Sequence, residues 1–371
     1  MKRLRIIVFV TVCFLLSCQI SCNPSHVSYF SSDHLLRAQS GELDTTTISP
    51  YLEAPINTDE NIVWCLTFQL VWNEMCNLIG EDIHLHQEPP MVEVFNKRAG
   101  NKNDIDDKSY VALAGHVRDR IHKRIKTELN RKFKGAACPQ LIPGEDGMRP
   151  QDIVAYSYLF KNLEFPNRFE RLKQPIYFKT SKVSCFGVGE TSKSGHAQMC
   201  DQVSIFDYNG QDDFIIELAT KSPIDQVILA KISPAGTLQA TVHRVLKRMS
   251  DEDSVNMRVG DILKVPKFHY DLIRNYDELI HKKLIIQNPK IAQDLVVLSA
   301  AQQIRFQMDE EGVKLKSESN MSFGCSASYQ PRTQHIMVFD KPFLVMLKNK
   351  SSKKPYFAMW IQNPELLVPW K

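Results

Sequence analysis

Alternating apolar and polar residues mark the last quarter of the chain as a group of strands around one long irregular segment. Ile304, Phe306 and Met308 occupy every second position, which is the period of a strand with one buried face. Two apolar runs follow, Phe343 to Leu347 and Tyr356 to Ile361, with a polar turn between them. The Ser-rich stretch that separates them from the first strand spans roughly 25 residues, longer than most connections in packed domains. Such loops often carry function, so the pattern predicts a functional loop held between buried strands.

Periodic segments upstream predict a core helix and several more strands. Apolar and aromatic side chains surround residues 61–80 on nearly all sides, so we expect a buried helix that ends at Gly80. Strands and one further helix are predicted, in chain order, at Ile153 to Phe160, Phe214 to Leu218, Val227 to Ile232, Thr237 to Met249 (the helix) and Ile262 to Pro266. Strands in runs with helices between them, and no internal repeat, favour an α+β fold of mixed and antiparallel sheets with surrounding helices.

Residues 116–134 predict a second helix, which is amphipathic and basic. Apolar side chains recur every four residues from Val117 to Phe133. The other positions carry a series of cations, namely Arg118, Arg120, Lys123, Arg124, Lys126, Arg131 and Lys132. Such a face can bind a polyanion or an anionic membrane surface, and it can also be a solvated face whose long side chains snorkel into water.

The N-terminus predicts an export signal. A basic start, Met1 to Arg5, precedes an apolar run of about eleven residues, which is too short to span a bilayer. This run ends in Leu-Leu-Ser-Cys, which resembles a bacterial lipobox with Cys18 as the lipidated first residue of the mature chain. The alternative is an ordinary signal peptide cleaved before Asn23. Either way the protein is expected to be exported, as an extracellular protein or a bacterial cell-envelope lipoprotein attached to the membrane through its lipid.

These signals divide the chain into three parts. Residues 1–22 are assigned to the signal peptide, and the polar, Ser/Thr-rich residues 23–59 to a flexible tether. Residues 60–371 are assigned to a single domain.

The composition of the chain adds few constraints to the predicted fold and function. The chain has 371 residues, 43% hydrophobic and 24% charged, with a formal net charge of +4. That balance is typical of a globular protein and too mild to predict a nucleic-acid ligand. Six cysteines lie beyond the signal region, and in an exported chain they permit disulfides whose pairing the sequence leaves open. Cys65 and Cys76 are predicted to be buried apolar side chains.

Motifs for catalysis or cofactor binding are weak throughout. The glycine-rich segment 187–195 has His196 where a phosphate loop would need lysine. His84 and His86, followed by Glu88, have a spacing that can chelate a metal, but a double proline ends the segment. Cys325 lies in the long loop without a local partner signature, and a hydrolase that uses it is a distant alternative. The sequence therefore predicts no metal, no cofactor and no enzymatic activity.

Three segments near the C-terminus resemble one known family. Residues 304–312, Ile-Arg-Phe-Gln-Met-Asp-Glu-Glu-Gly, resemble the strand and hinge that lead into the reactive-centre loop of serpins. Residues 338–345 resemble the strand that follows this loop, and residues 356–364 resemble the final strand, which ends in Asn-Pro. Upstream segments resemble other serpin elements in the same order, at 61–80, 153–169, 214–231 and 263–268. The resemblance covers most of residues 61–364 and implies a serpin-like α+β fold with an exposed reactive-centre-like loop.

The resemblance also implies a function and its residues. Serpins inhibit proteases when the cleaved loop inserts into a sheet, and their hinge carries small side chains that enter quickly. The corresponding hinge residues are Glu310, Glu311, Gly312, Val313, Leu315 and Ser317. The bait-loop residues are Cys325, Ser326, Ala327, Tyr329 and Arg332, with the scissile bond near Ser326–Ala327 or, for a trypsin-like protease, at Arg332.

Two functions remain open at this point. One is a serine or cysteine protease inhibitor whose partner is an unidentified target protease. The other is a non-inhibitory serpin-fold binding protein at the cell envelope. The bulk of Leu315, at a position where serpins favour alanine, argues modestly for the second function. The region between Gly80 and Ile153 is short for a serpin, which implies that a helix or a strand is missing there.

Overall fold

The structure, a computed structural model, describes residues 35–133, 147–189, 195–251, 253–314 and 334–371. The helices within these ranges are α1 (Thr67–Ile79), α2 (Pro90–Asn96), α3 (Ile121–Phe133), α4 (His196–Asp201) and α5 (Leu238–Asp251). The strands are β1 (Leu36–Gln39), β2 (Thr46–Ser49), β3 (Asn61–Cys65), β4 (His84–Leu85), β5 (Tyr110–His116), β6 (Ile153–Leu159), β7 (Leu163–Glu164), β8 (Glu170–Arg171), β9 (Ile176–Phe178), β10 (Ser181–Val183), β11 (Cys185–Val188), β12 (Val203–Tyr208), β13 (Phe214–Leu218), β14 (Asp225–Lys231), β15 (Val255–Asn256), β16 (Ile262–Pro266), β17 (Phe268–Asn275), β18 (Leu284–Ile285), β19 (Ala301–Asp309), β20 (Gly312–Lys314), β21 (Ile336–Val338), β22 (Phe343–Asn349) and β23 (Pro355–Ile361).

An eight-stranded sheet forms the centre of the molecule. Its strand order is β15-β12-β13-β14-β22-β23-β3-β2, and every pair is antiparallel except β2 with β3. The middle strands β13, β14, β22 and β23 are almost entirely buried. Near-continuous apolar runs are expected of strands covered on both faces, which explains why these segments lack alternation in the sequence.

A second, five-stranded sheet holds the hinge. Its order is β1-β17-β19-β20-β7, and β17 pairs with β19 along its whole length, from Phe268 opposite Met308 to Asn275 opposite Ala301. The alternating side chains of β19 point into the core, where Phe306 stacks on Phe357 of the central sheet with ring centroids 4.9 Å apart. The two large sheets therefore share one hydrophobic core, and the predicted strand around Phe306 is confirmed.

Smaller sheets complete the structure. The four strands β21-β16-β11-β8 form one sheet, in which Gly187 approaches the backbone of Leu263 so closely that a Cβ atom would lie 2.0 Å from its carbonyl oxygen. Strands β5 and β6 pair with each other, with α1 and α3 packed against them. The α+β prediction is confirmed by these mixed and antiparallel sheets with few helices.

Two predicted segments differ from the structure. Residues 61–80 form a strand, β3, and then a helix, α1, instead of one long helix. Asn61–Cys65 is extended because it pairs with β23 on one side and β2 on the other, while Gly80 ends the helix with φ 84° as predicted. Within the predicted flexible tether, Leu36–Gln39 and Thr46–Ser49 are strands, because each pairs in parallel with the edge of a neighbouring strand.

Candidate functional site

Residues 312–314 of the hinge segment form a strand of the five-stranded sheet. After β19 the chain turns at Glu310 and Glu311 and returns as β20, which is antiparallel both to β19 and to β7. Val313 lies opposite Met308 on one side and Leu163 on the other, and its side chain is fully buried. The hinge residues Gly312 and Val313 are therefore part of the sheet, whereas Glu310 and Glu311 form the turn that precedes it.

Gly312 is needed where β20 meets β7. Its φ of +150° lies in a region that side chains other than glycine rarely adopt. A Cβ atom at this position would lie 2.6 Å from the carbonyl oxygen of Leu163 and 2.7 Å from Cα of Glu164. Since both obstacles are backbone atoms, a larger residue would force the two strands apart.

The turn before β20 is held by the segment that follows β7. The backbone N–H of Phe165 donates to the carbonyl oxygen of Glu311 at 3.0 Å, and the N–H of Phe169 donates to that of Glu310 at 2.9 Å. These bonds connect the hinge to residues far away in the sequence. The backbone carbonyl groups of both turn residues are therefore held in place.

Glu310 is a buried carboxylate with two cationic partners. Arg168 Nη2 lies 3.1 Å from Oε1, and Lys267 Nζ donates to Oε2. Burial raises the pKa of Glu310, but the hydrogen bonds from Lys267 and Arg168 and the charge of Lys267 outweigh it, so that the pKa lies below the usual range. Glu311 is 45% exposed and lies 3.6 Å from Arg168, so water screens its charge more than that of Glu310.

The cationic partners were not predicted from the sequence. Lys267 lies between β16 and β17, and a second charge, Lys264, precedes it in the same apolar stretch, so no local signal singles it out. Arg168 lies in the loop between β7 and β8, and no local signal marks it either. The structure also shows a buried ion pair that the sequence does not predict, between Lys161 and Asp225 at 2.8 Å. This pair connects the segment after β6 to the central sheet.

Several predicted site residues fall outside the described ranges. They are the hinge residues Leu315 and Ser317, the bait-loop residues Cys325, Ser326, Ala327, Tyr329 and Arg332, and the lipidation candidate Cys18. The described hinge residues are Glu310, Glu311, Gly312 and Val313, which the structure brings together beside β7.

Buried thiols account for the described cysteines. Cys65, Cys76, Cys185 and Cys200 are free and buried, so the burial predicted for the first two is confirmed and no disulfide joins these four. Burial raises the pKa of Cys185 to about 11 and that of Cys200 to about 12. Thiols in this state are protonated at neutral pH and chemically inert.

The basic helix is confirmed as amphipathic, but it begins at Ile121, because His116 ends β5 and Val117–Asp119 form a 3-10 turn. Ile121, Ile125, Leu129 and Phe133 are buried along one side of α3. Two of its cations are paired, Arg131 with Glu128 at 2.7 Å and Lys132 with Asp107 at 3.0 Å.

In the described parts of the chain, histidine and acidic side chains do not form a metal-binding cluster. His84 Nδ1 lies 3.2 Å from Glu88 Oε2 as an exposed pair. Among the described residues no three His, Cys, Asp or Glu side chains are grouped as a metal site requires. Within the same ranges, no helix is long and apolar enough to cross a membrane.

Comparison with known proteins gives similarity in structure alone. No family model matches the chain, and no curated protein is similar to it in sequence. Thyroxine-binding globulin in complex with thyroxine is 13% identical, with a TM-score of 0.43 over 82% of this chain and 93% of that one. A second structure, human thyroxine-binding globulin complexed with the same ligand, is 13% identical, with a TM-score of 0.44 over 82% and 92%. A serpin from Schistosoma mansoni is 11% identical, with a TM-score of 0.41 over 67% and 65%. Similarity at this level of identity and TM-score supports no conclusion about the family or the activity of this chain.

Proposed function

We propose that this chain is a serpin-like protease inhibitor whose bait loop inserts into the five-stranded sheet after cleavage. One observation carries the proposal: β20 already pairs between β19 and β7, antiparallel to both, with Val313 buried. The loop follows directly from this strand. Insertion would therefore lengthen a strand that is already started and would not have to begin a new one.

The existing register indicates where the next residues would go. Val313 lies opposite Met308, so continued pairing would place Leu315 opposite Phe306 and Ser317 opposite Ile304. Phe306 and Ile304 are buried, so Leu315 and Ser317 would face the core. The charged residues Lys316 and Glu318 would face the other side, which agrees with the alternation of this segment.

The sheet offers backbone partners for such a strand. On the edge of β19 away from β17, hydrogen-bonded strand pairing among the described residues covers only Gln307 to Asp309. Strand β6, which precedes β7, pairs only with β5 within the same ranges. An inserted loop would supply the ladder hydrogen bonds that strand backbones require, and this gain would stabilise the inserted state.

Two features would slow the insertion. Leu315 is bulkier than the small residues that enter a sheet easily, and Lys316 would lie directly opposite Arg305. Like charges in a cross-strand pair are destabilising. Since delay lets an acylated protease escape, we expect measurable clean cleavage of the loop beside inhibition.

The test measures thermal unfolding before and after limited cleavage by a panel of serine and cysteine proteases, with a denaturing gel for covalent complexes. We expect a large rise in the unfolding midpoint and a covalent complex with at least one protease, because cleavage releases stored strain. Clean cleavage without a rise in midpoint contradicts the proposal. That outcome favours the second function, a serpin-fold binding protein that does not inhibit.

Two variants at neighbouring positions make the test specific for insertion. Ser317→Arg places a charge on the side that would enter the core, and we expect it to abolish both the covalent complex and the rise in midpoint. Glu318→Arg places the same side chain on the opposite side and should retain both. Equal behaviour of the two variants would show that the loop does not enter in the proposed register.

Export remains a proposal as well. The basic start and short apolar run of residues 1–22 support it, and Cys18 supports a lipid anchor. Metabolic labelling with a palmitate analogue, compared between the parent chain and Cys18→Ser, tests the anchor. Labelling that persists in the variant contradicts it.

A further inference from the structure

Three short segments form an antiparallel ribbon at the surface of the molecule, namely 176–178 (β9), 181–183 (β10) and 368–370. On one edge of β10, Lys182 lies opposite Tyr177. On the other edge, Pro369 lies opposite Val183. The N–H of Trp370 donates to the carbonyl oxygen of Lys182 at 3.1 Å, so Lys182 has Tyr177 on one side and Trp370 on the other.

One face of this ribbon is packed on the core. Its inward side chains are buried, namely Ile176, Phe178 and Val183. The ring centroid of Phe178 lies 6.1 Å from that of Phe343 in the central sheet. The N–H of Val368 donates to the carbonyl oxygen of Lys267 at 2.9 Å, which holds the third segment on its outer edge. The ribbon is therefore fixed on the molecule, and its outward face is preformed.

The outward face carries a row of two aromatic side chains with a cation between them. Residues directly opposite each other in a ladder project from the same face, so Tyr177, Lys182 and Trp370 lie side by side across the three strands. Tyr177 is 58% exposed, Lys182 is exposed and Trp370 is half-buried. Lys182 Nζ lies 5.7 Å from the centroid of the Tyr177 ring.

The charges around this row are positive. Lys179, in the turn between β9 and β10, and Lys371, next to Trp370, are exposed. Within the described ranges, no ion pair joins Lys179, Lys182 or Lys371 to a carboxylate. Exposed cations without acidic partners are complementary to a partner that carries negative charge.

The spacing of the row matches the repeat of a polyproline II helix. Adjacent strands lie about 4.8 Å apart, so the backbones of Tyr177 and Trp370 are about 9.6 Å apart across the ribbon. A polyproline II helix has three residues per turn and a rise of about 3.1 Å, so its pattern repeats every 9.3 Å or so. Two prolines three residues apart could therefore contact the two aromatic side chains, as prolines do in other aromatic-lined peptide sites. A carboxylate between these prolines would lie beside Lys182.

We propose that this face binds a proline-rich segment of another protein, in the polyproline II conformation, with acidic side chains between its prolines. Single-stranded nucleic acid also stacks on aromatic side chains beside cations. The net charge of only +4 and the match to the polyproline repeat favour the peptide. The proposal does not depend on loop insertion, because the ribbon contains none of the hinge residues, and either proposal can fail while the other holds.

The probe is a fluorescein-labelled peptide with three repeats of Pro-Pro-Glu, added to the intact protein and followed by fluorescence anisotropy. We expect saturable binding at one site. Three repeats of Pro-Pro-Lys should bind more weakly because of charge repulsion, and three repeats of Ala-Ala-Glu because the chain is not preorganised. No binding of the Pro-Pro-Glu peptide, or equal binding of the Ala-Ala-Glu peptide, overturns the proposal. Tighter binding of an oligothymidylate than of the Pro-Pro-Glu peptide overturns the choice of partner.

Variants of the row locate the site. Tyr177→Ala and Trp370→Ala should each weaken binding of the Pro-Pro-Glu peptide by about tenfold, whereas Tyr177→Phe, which keeps the ring, should stay close to the parent. Lys182→Glu should weaken binding of the Pro-Pro-Glu peptide and strengthen that of the Pro-Pro-Lys peptide. Lys290→Glu makes the same change in net charge outside the ribbon and should have a much smaller effect. Circular dichroism of each variant checks folding. Unchanged binding by both alanine variants would place the peptide elsewhere and refute the assignment.

Discussion

Glu310 carries a buried negative charge at the turn that leads into β20. Its partners Lys267 and Arg168 come from the segments before β17 and after β7, so one carboxylate holds three parts of the chain together. Removing one partner of a buried ion pair leaves the other charge without compensation, which destabilises more than the loss of an exposed pair.

Glu310→Gln is expected to lower the free energy of unfolding by about 2 kcal/mol at pH 7. Because the folded-state pKa of Glu310 lies below its usual range, the stabilisation is fully present above the unfolded-state pKa and is lost as pH falls through the folded-state pKa. The difference between parent and variant should therefore shrink below about pH 4, which urea unfolding at a series of pH values measures.

Glu311→Gln is the matched control for this prediction. The side chain is 45% exposed and lies 3.6 Å from Arg168, so its loss should change stability by less than about 0.5 kcal/mol. If the two variants are equally stable at pH 7, the ion pair of Glu310 does not hold the turn.

At the scale of elements, α3 and the turn before it present an exposed basic face. Arg118 and Arg120 just before the helix, and Lys123, Arg124 and Lys126 on it, are exposed, and no ion pair joins them to another residue of the described chain. We propose that this face binds a polyanion, since clustered cations without partners attract anionic polymers.

The combined variant Lys123→Gln, Arg124→Gln, Lys126→Gln tests this face on a dextran sulfate column. We expect the parent chain to elute at a clearly higher salt concentration than the variant, because screening weakens surface attraction. Arg131→Gln, which removes a cation already paired with Glu128, should elute close to the parent. Unchanged elution of the combined variant would show that the face is only solvated.

At the scale of the whole molecule, the two large sheets are joined by aromatic side chains. Phe306 of β19 is 1% exposed and stacks on Phe357 of β23, so the strand beside the hinge is anchored to the central sheet. Loop insertion would have to proceed along this same strand. The packing under β19 therefore determines how firmly the acceptor sheet is held.

Phe306→Ala should destabilise the fold by about 3 to 5 kcal/mol, because it leaves a cavity between the two sheets. Tyr177→Ala serves as control, since Tyr177 is 58% exposed and its loss should change the free energy of unfolding by about 0.5 kcal/mol or less. Chemical denaturation of the uncleaved proteins measures both. A small effect of Phe306→Ala would mean that the sheets are held together by other contacts.

The sequence alone determined the strands around Phe306, the paired strands β13 and β14, the final pair β22 and β23, and the amphipathic helix α3. Side-chain periodicity is a local property, and it follows directly from which face of an element is buried. The order of these segments was sufficient for the serpin-like α+β prediction.

Other features depend on contacts between residues that are distant in the chain, and only the tertiary structure shows them. Asn61–Cys65 is a strand because β23 and β2 flank it, although its apolar character fitted a helix equally well. Glu310 meets Lys267 and Arg168, and β20 pairs with β7, through contacts across more than 40 residues. Neither spacing nor composition records such pairings, because they arise from the packing of whole sheets rather than from neighbouring residues.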